Sequence, residues 1–243
     1  MAPIAILSDI HGNRQALDAT LRAAREAGAT TWWCLGDIVG YGADPSHCLA
    51  RSREAARCIG GNHDLGVTGE VSLDVFADLA SDAIVWTRQA LGEAGRAKLR
   101  DLSPADIDGA VPLYHASPRD PVWEYILTVE QAREALEHRR VPLTLVGHTH
   151  IPYAWTLTSD GAMRDVGVPA GGVLDVSEGR WLVNPGSVGQ PRDHDARAAW
   201  ALLDLEARTI TFRRTPYDVA AAQNAILRAG LPALLATRLS EGR

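Results

Sequence analysis

The chain has 243 residues, 46% of them hydrophobic, enough for one sizeable core, so a single domain over 1–243 is expected. Its formal net charge of -6 argues against a basic track for long nucleic acid, and no run approaches the ~18 apolar residues of a membrane span. The first apolar run, Ala2 to Leu7, is too short for a signal peptide, and Cys34, Cys48 and Cys58 read as small core hydrophobes rather than a disulfide framework, so a cytoplasmic protein is expected.

Ile4-Ala5-Ile6-Leu7 ends at Ser8-Asp9 and reads as a strand covered on both faces. Asp9 and His11 stand two apart, and an extended backbone would send both side chains to the same side. Gly12 permits a turn, and Asn13 caps a helix from Arg14 to Ala27 with Leu17, Leu21 and Ala24 on one face and Gly28 as its stop. A second strand, Thr31 to Leu35, delivers Asp37 into a corner that continues through Gly40, Tyr41 and Gly42. A buried carboxylate there needs partners. Asp44-Pro45 opens a second helix whose Arg51, Arg53 and Arg57 read as a solvated face, with His47 exposed. A third strand, Ala56 to Ile59, leads into Gly60-Gly61-Asn62-His63-Asp64, where Asp64 reads as a cap or turn residue.

Gly66 to Gly69 reads as a hinge, followed by a helical insertion over about 70–103 whose apolar positions include Val75, Phe76, Leu79, Ala83, Ile84 and Leu91. Ordinary packing is the expected role of Phe76 and Trp86, with a lid over a substrate pocket as the alternative. Val111 to His115 is a strand, and Trp123, Glu124 and Tyr125 either line a pocket mouth or pack in a loop. Val129 to His138 is helical, and the apolar run from Leu143 to Val146 ends at Gly147-His148-Thr149-His150. From Pro152 onward short strands with turns between them read as an antiparallel meander forming a second sheet of its own, stacked on the first. The loop from Asn184 to Arg192 interrupts it, and two helices over about 217–239 close the chain.

Five of the eight histidines, His11, His63, His115, His148 and His150, fall in these corners, and Asp9, Asp37 and Asn62 add oxygen donors. Imidazole and carboxylate without thiolate suit Mn²⁺, Fe or Zn²⁺ better than a soft metal. Two ions about 3.5 to 4 Å apart can clamp the attacking and leaving oxygens of an in-line displacement, and a water bridging them can be hydroxide near neutral pH. Phosphoester hydrolysis needs both effects.

Asp9-x-His11, Gly36-Asp37, Gly61-Asn62-His63-Asp64, a lone His115 and Gly147-His148-x-His150, in that order, resemble the calcineurin-like metallophosphoesterases. Asn184-Pro185-Gly186-Ser187 narrows the resemblance to their small bacterial and archaeal phosphodiesterase-like branch, and the likeness spans Ile4 to Arg192. It implies an α/β (α+β) fold, a four-layer αββα sandwich of two mixed β-sheets flanked by helices. It also implies two divalent metal ions, Mn first with Fe, Zn or Ni as alternatives. By the resemblance one ion is held by Asp9, His11, Asp37 and His150 and the other by Asp37, Asn62, His115 and His148, with Asp37 bridging. His63 matches the non-ligand histidine that protonates the leaving oxygen or stabilises the transition state, while Asn62 and Arg192 are expected to contact substrate.

The implied activity is hydrolysis of phosphodiesters or small phosphomonoesters, with a phosphodiesterase first and a small phosphoester or nucleotide as substrate. A dinucleoside polyphosphate pyrophosphohydrolase is the second enzymatic reading. A protein-docking scaffold on the same fold is the non-enzymatic one, disfavoured because His63 and every ligand position are kept. In the superfamily's protein Ser/Thr phosphatases the corner continues Gly-Asp-x-x-Asp-Arg-Gly. Gly40 and Tyr41 stand at the second Asp and the Arg here, so His63 lacks that orienting acid.

Overall fold

Three parallel strands, β1 (Ile4–Leu7), β2 (Thr31–Cys34) and β3 (Arg57–Cys58), start the fold, joined by α1 (Arg14–Glu26) and α2 (Pro45–Ser52). The computed structural model describes residues 2–168 and 171–243. Helix α1 begins as its sequence demands. The Asn13 side chain accepts from the Ala16 amide, and Leu17, Leu21 and Ala24 turn inward onto β1 and β2.

Next come α3 (Asn62–Thr68), a 3₁₀ turn at Leu73–Val75, and α4 (Asp78–Arg100), whose helical geometry breaks at Gly92. Gly66 is no hinge. It lies inside α3, where a Cβ would meet Ile84 and Phe76 of the insertion at 2.9 and 3.0 Å, so the small residue serves close packing. The strands β4 (Ala105–Asp106) and β5 (Leu113–Tyr114), helix α5 (Val129–His138) and β6 (Leu143–Leu145) follow. Arg57 is not on a solvated helix face either. It sits in β3 over the Trp33 ring and donates to Asp106 at 2.7 Å, while His47 is half-buried against Asp18 at 2.9 Å.

The remaining strands are β7 (Tyr153–Leu157), β8 (Met163–Asp165), β9 (Val173–Asp175), β10 (Arg180–Asn184), β11 (Ala198–Asp204) and β12 (Thr209–Thr215), closed by α6 (Val219–Arg228) and α7 (Ala233–Glu241). They do not form a sheet of their own. One sheet runs β3-β2-β1-β11-β12-β9 and the other β4-β5-β6-β10-β7-β8, so the second half of the chain completes both. The reason lies in the strands themselves. Trp200 and Leu202 of β11 pack toward α1, whereas Ala201 and Leu203 pack toward the other sheet. β10 likewise sends Leu182 toward α5 and Trp181 and Val183 between the sheets. A strand apolar on both faces belongs inside a covered sheet, not in a meander with one wet face.

Both sheets are mixed, and three apolar layers fill the space between helices and sheet, sheet and sheet, and sheet and helix. That is the four-layer αββα sandwich. Helices α6 and α7 set Ile226, Leu235 and Leu239 beside Tyr41 and Ala83. Among the described residues, no helix is long and apolar enough to cross a membrane.

Candidate metal centre

The parallel strands of both sheets discharge into one place. Asp9 and His11 follow β1, Asp37 follows β2, Asn62 and His63 follow β3, His115 follows β5, and His148 and His150 follow β6. Their backbone is not the extended one expected from the two-residue spacing. Of eight described non-glycine residues at positive φ, five are Asp9 (52°), His11 (49°), Asp37 (51°), His148 (66°) and His150 (62°), and a sixth is Tyr41 (42°). Left-handed backbone of this kind costs on the order of 1–3 kcal/mol per residue and persists only where its surroundings fix it. Here they do. The amides of Asp9, His11 and Gly12 donate to the carbonyls of Gly36, Asp37 and Ile38, and the His148 amide donates to Asp9 Oδ2 at 3.2 Å.

Two groups of donor atoms result, each within 4.8 Å: Asp9, His11, Asp37 and His150, and Asp37, His115 and His148. Asn62 joins the second, its Oδ1 lying 3.0 Å from His115 Nε2. Asp37 Oδ2 stands 3.5 Å from both His11 Nε2 and His115 Nε2, one in each group. Every predicted metal donor is therefore present and buried.

Hydrogen bonding decides what these atoms lack. The Nδ1 atoms of His11, His115 and His150 lie 3.2, 2.9 and 2.6 Å from the carbonyl oxygens of Val39, Leu35 and Gln190. A carbonyl only accepts, so each Nδ1 carries the proton, and a neutral ring then turns a bare lone pair inward from Nε2. Burial pushes His11, His148 and His150 well below the ordinary histidine range and so keeps them neutral. Lone pairs thus face lone pairs. His11 Nε2 and His150 Nε2 are 3.0 Å apart, and His148 Nε2 and Asp9 Oδ1 have no hydrogen-bond partner at all. Burial also raises Asp9 to about 7, and burial together with Asp64 raises Asp37. Converging imidazole lone pairs and buried carboxylates fit divalent cations, which would displace the carboxyl protons, and the carbonyl contacts at Nδ1 are the outer contacts that orient metal-binding imidazoles.

His63 stands beside the donors and is held by packing. Its ring contacts Tyr41, His11 and Phe76, with centroids 4.4, 4.8 and 5.5 Å away. Its Nδ1 is buried without a partner, and Gly40 at φ 98° makes the room, because a Cβ there would lie 2.6 Å from that nitrogen. Burial first, then the charge of Arg192, lowers His63 to about 3, so the ring is neutral. Asp64, read as a cap or turn residue, does cap α3 and clamps a second segment as well. Its carboxylate accepts from the amides of Ile38, Val39 and Gly61 and so shapes the corner that carries Asp37.

The loop after β10 is tied to the same corner. Asn184 donates to the Gly147 carbonyl, Ser187 to the Asp9 carbonyl, and the Asn13 side chain through Nδ2 to the Gly189 carbonyl. The loop ends in Arg192, which lowers the pKa of the donor carboxylates and histidines through its charge. Trp123 meets Phe76 edge-on, and Tyr125 stacks on His148 at 4.1 Å, so these two surround the site whereas Glu124 pairs with Arg119. The long-range ties of Asn13, Tyr41, Asn184 and Asp64 had no signal in the sequence read alone, since each acts on a segment far along the chain.

The model of the calcineurin-like phosphoesterase superfamily domain matches residues 3–208. An uncharacterized protein of Methanocaldococcus jannaschii is 35% identical over 248 residues, covering 99% of this chain and 98% of that protein. The crystal structure of a metallophosphoesterase from Sphaerobacter thermophilus aligns with 100% of this chain and 99% of its own, with a TM-score of 0.88 and 40% identity. A hypothetical protein from Pyrococcus horikoshii OT3 shares the fold, with a TM-score of 0.81 and 23% identity over 100% of this chain and 99% of its own.

Proposed function

Because the chain belongs to the calcineurin-like phosphoesterase superfamily, we propose that it hydrolyses phosphodiesters or small phosphomonoesters, nucleotides included, at a centre of two divalent metal ions. The observation that carries this is the pair of buried acceptor clusters sharing Asp37, whose Oδ2 is equidistant from a histidine of each. Asp9, His11, Asp37 and His150 would hold one ion, and Asp37, Asn62, His115 and His148 the other. Mn²⁺ is the first choice for this oxygen and imidazole set, with Fe, Zn²⁺ or Ni²⁺ as alternatives. When bound, such ions lower the pKa of water and stabilise charge on phosphoryl oxygens.

The chain's own residues do the rest. His63 is the catalytic residue of this reading. With Nδ1 unpaired, its neutral ring is free to hold its proton on Nε2 and hydrogen-bond the leaving oxygen, stabilising the charge that develops there. Phe76 and Tyr41 keep the ring in place.

The test is a panel of nitrophenyl monoesters, bis-nitrophenyl diesters and dinucleoside polyphosphates, assayed with each candidate metal while metal content is measured. Metal-dependent hydrolysis of simple esters is expected. A metal-loaded protein that cleaves only the polyphosphates would favour the pyrophosphohydrolase, and one that cleaves nothing would end the hydrolase reading.

A further inference from the structure

Arg192 is half-buried at the end of the loop that is laced to the Asp9 corner, and its amide donates to the His150 carbonyl at 3.3 Å. Its guanidinium touches only neutral acceptors. It donates to Gln190 Oε1 at 3.2 Å, and the Tyr41 and Tyr125 hydroxyls are close enough to feel its charge. The Tyr41 ring also lies beneath it, 6.0 Å from Cζ to centroid. Among the described residues no carboxylate pairs with it. The two acids nearest in sequence are taken, Asp193 by Arg214 and Asp195 by Arg197. Asp9 and Asp37 feel its charge but form no ion pair with it.

A guanidinium partly removed from water and left without a counter-ion is costly, and its planar fork matches two oxygens of a phosphoryl group. We propose that Arg192 binds the substrate's phosphoryl oxygens, and that Tyr41 and Tyr125 are positioning residues that aim it. The proposal rests on the phosphoesterase reading and deepens it, since it names the group that recognises the anion. Tyr41 comes from the corner after β2 and Tyr125 from the segment before α5, so the side chain is flanked on two sides. Gln190 supplies a direct hold, and its own carbonyl orients His150. Arg192 therefore keeps a fixed relation to the donor cluster. A cation in this position favours a dianionic monoester or terminal phosphate over a monoanionic diester, because the Coulomb attraction grows with the anion's charge.

The test uses the metal-loaded full chain with Arg192→Gln, Arg192→Lys and the double variant Tyr41→Phe/Tyr125→Phe. Binding of inorganic phosphate is followed by calorimetry, beside kcat and KM for a nitrophenyl monoester and a bis-nitrophenyl diester, with metal content measured throughout. Arg192→Gln is expected to weaken phosphate binding by about 10- to 100-fold, as for loss of a charge-assisted contact. Its kcat/KM should fall more for the monoester than for the diester. Arg192→Lys should recover part of the loss, and the double variant should raise KM in the same direction with metal content unchanged, which a purely structural role would not do. Phosphate binding in Arg192→Gln as tight as in the unmodified chain, with hydrolysis intact, would overturn the clamp and leave the phosphoesterase reading standing. Arg192-dependent phosphate binding in a chain that hydrolyses no ester would retain the clamp and overturn the hydrolase.

Discussion

His11 and His150 face each other Nε2 to Nε2 across 3.0 Å, each with its Nδ1 against a backbone carbonyl. Neither ring has a proton to offer the other. Only a shared cation or an added proton relieves that contact, and burial opposes the proton.

Stability should therefore rise more steeply with pH when metal is bound than when it is not. In the metal-free fold Asp9, raised to about 7, and Asp37 retain protons that an unfolded chain has already released. They lower stability as pH rises. The buried histidines His11, His63, His148 and His150 act the other way below and around pH 6.5, where the unfolded chain still binds their protons. Around pH 6.5 to 7 the two sets oppose each other, so metal-free protein should gain little stability there as pH rises. Metal-loaded protein should gain stability over the same range, because deprotonated donors bind ions more tightly. Thermal unfolding with and without chelator checks this, and parallel slopes would contradict it.

Sharing of Asp37 makes a stoichiometric prediction. Asp37→Asn should lose both ions, whereas Asp9→Asn should lose the ion of its own cluster and keep the other. Elemental analysis after dialysis distinguishes the two. One retained ion in Asp37→Asn would show that this carboxylate is not the bridge.

For His63 the expectation concerns turnover. His63→Ala should retain both metals and lower kcat by about 10² to 10⁴. Gly40→Ala approaches the same ring from outside, since its Cβ would press on His63 Nδ1 from a backbone at φ 98°. It should cut kcat by about tenfold or more through a displaced imidazole, and cost on the order of 1–3 kcal/mol of stability. Unchanged turnover in His63→Ala, with metal content confirmed, would remove this residue from the reaction.

Asp64→Ala leaves the amides of Ile38, Val39 and Gly61 without their acceptor. At about 1–3 kcal/mol for each buried unpaired group, a loss of about 3 kcal/mol or more is expected, with weaker metal binding because the Asp37 corner loosens. Asp64→Asn keeps one oxygen and should fall between the two. Denaturant unfolding and metal titration measure both effects.

The donors were legible because each lies at the carboxyl end of a short apolar strand, where type and spacing survive as local pattern. Their backbone was not. Asp9 and His11 were expected on an extended chain, but contacts from the Gly36–Ile38 segment hold both left-handed. The antiparallel strands were also recognisable singly, while their division between sheets depends on both faces of β10 and β11 being apolar, a feature that alternation with turns conceals. Arg57 went astray because its partner, Asp106, lies 49 residues away. The same holds for Tyr41, Tyr125 and Arg192, which meet only in three dimensions.

Each donor cluster takes residues from both sheets. Asp9, His11 and Asp37 follow strands of one, and His115, His148 and His150 follow strands of the other. Ions bound there would act as rivets through the sandwich, so their binding energy also resists sliding of one layer over the other. A substitution deep between the sheets, touching no donor, would then be felt as a loosened rivet before it was seen as a loosened fold.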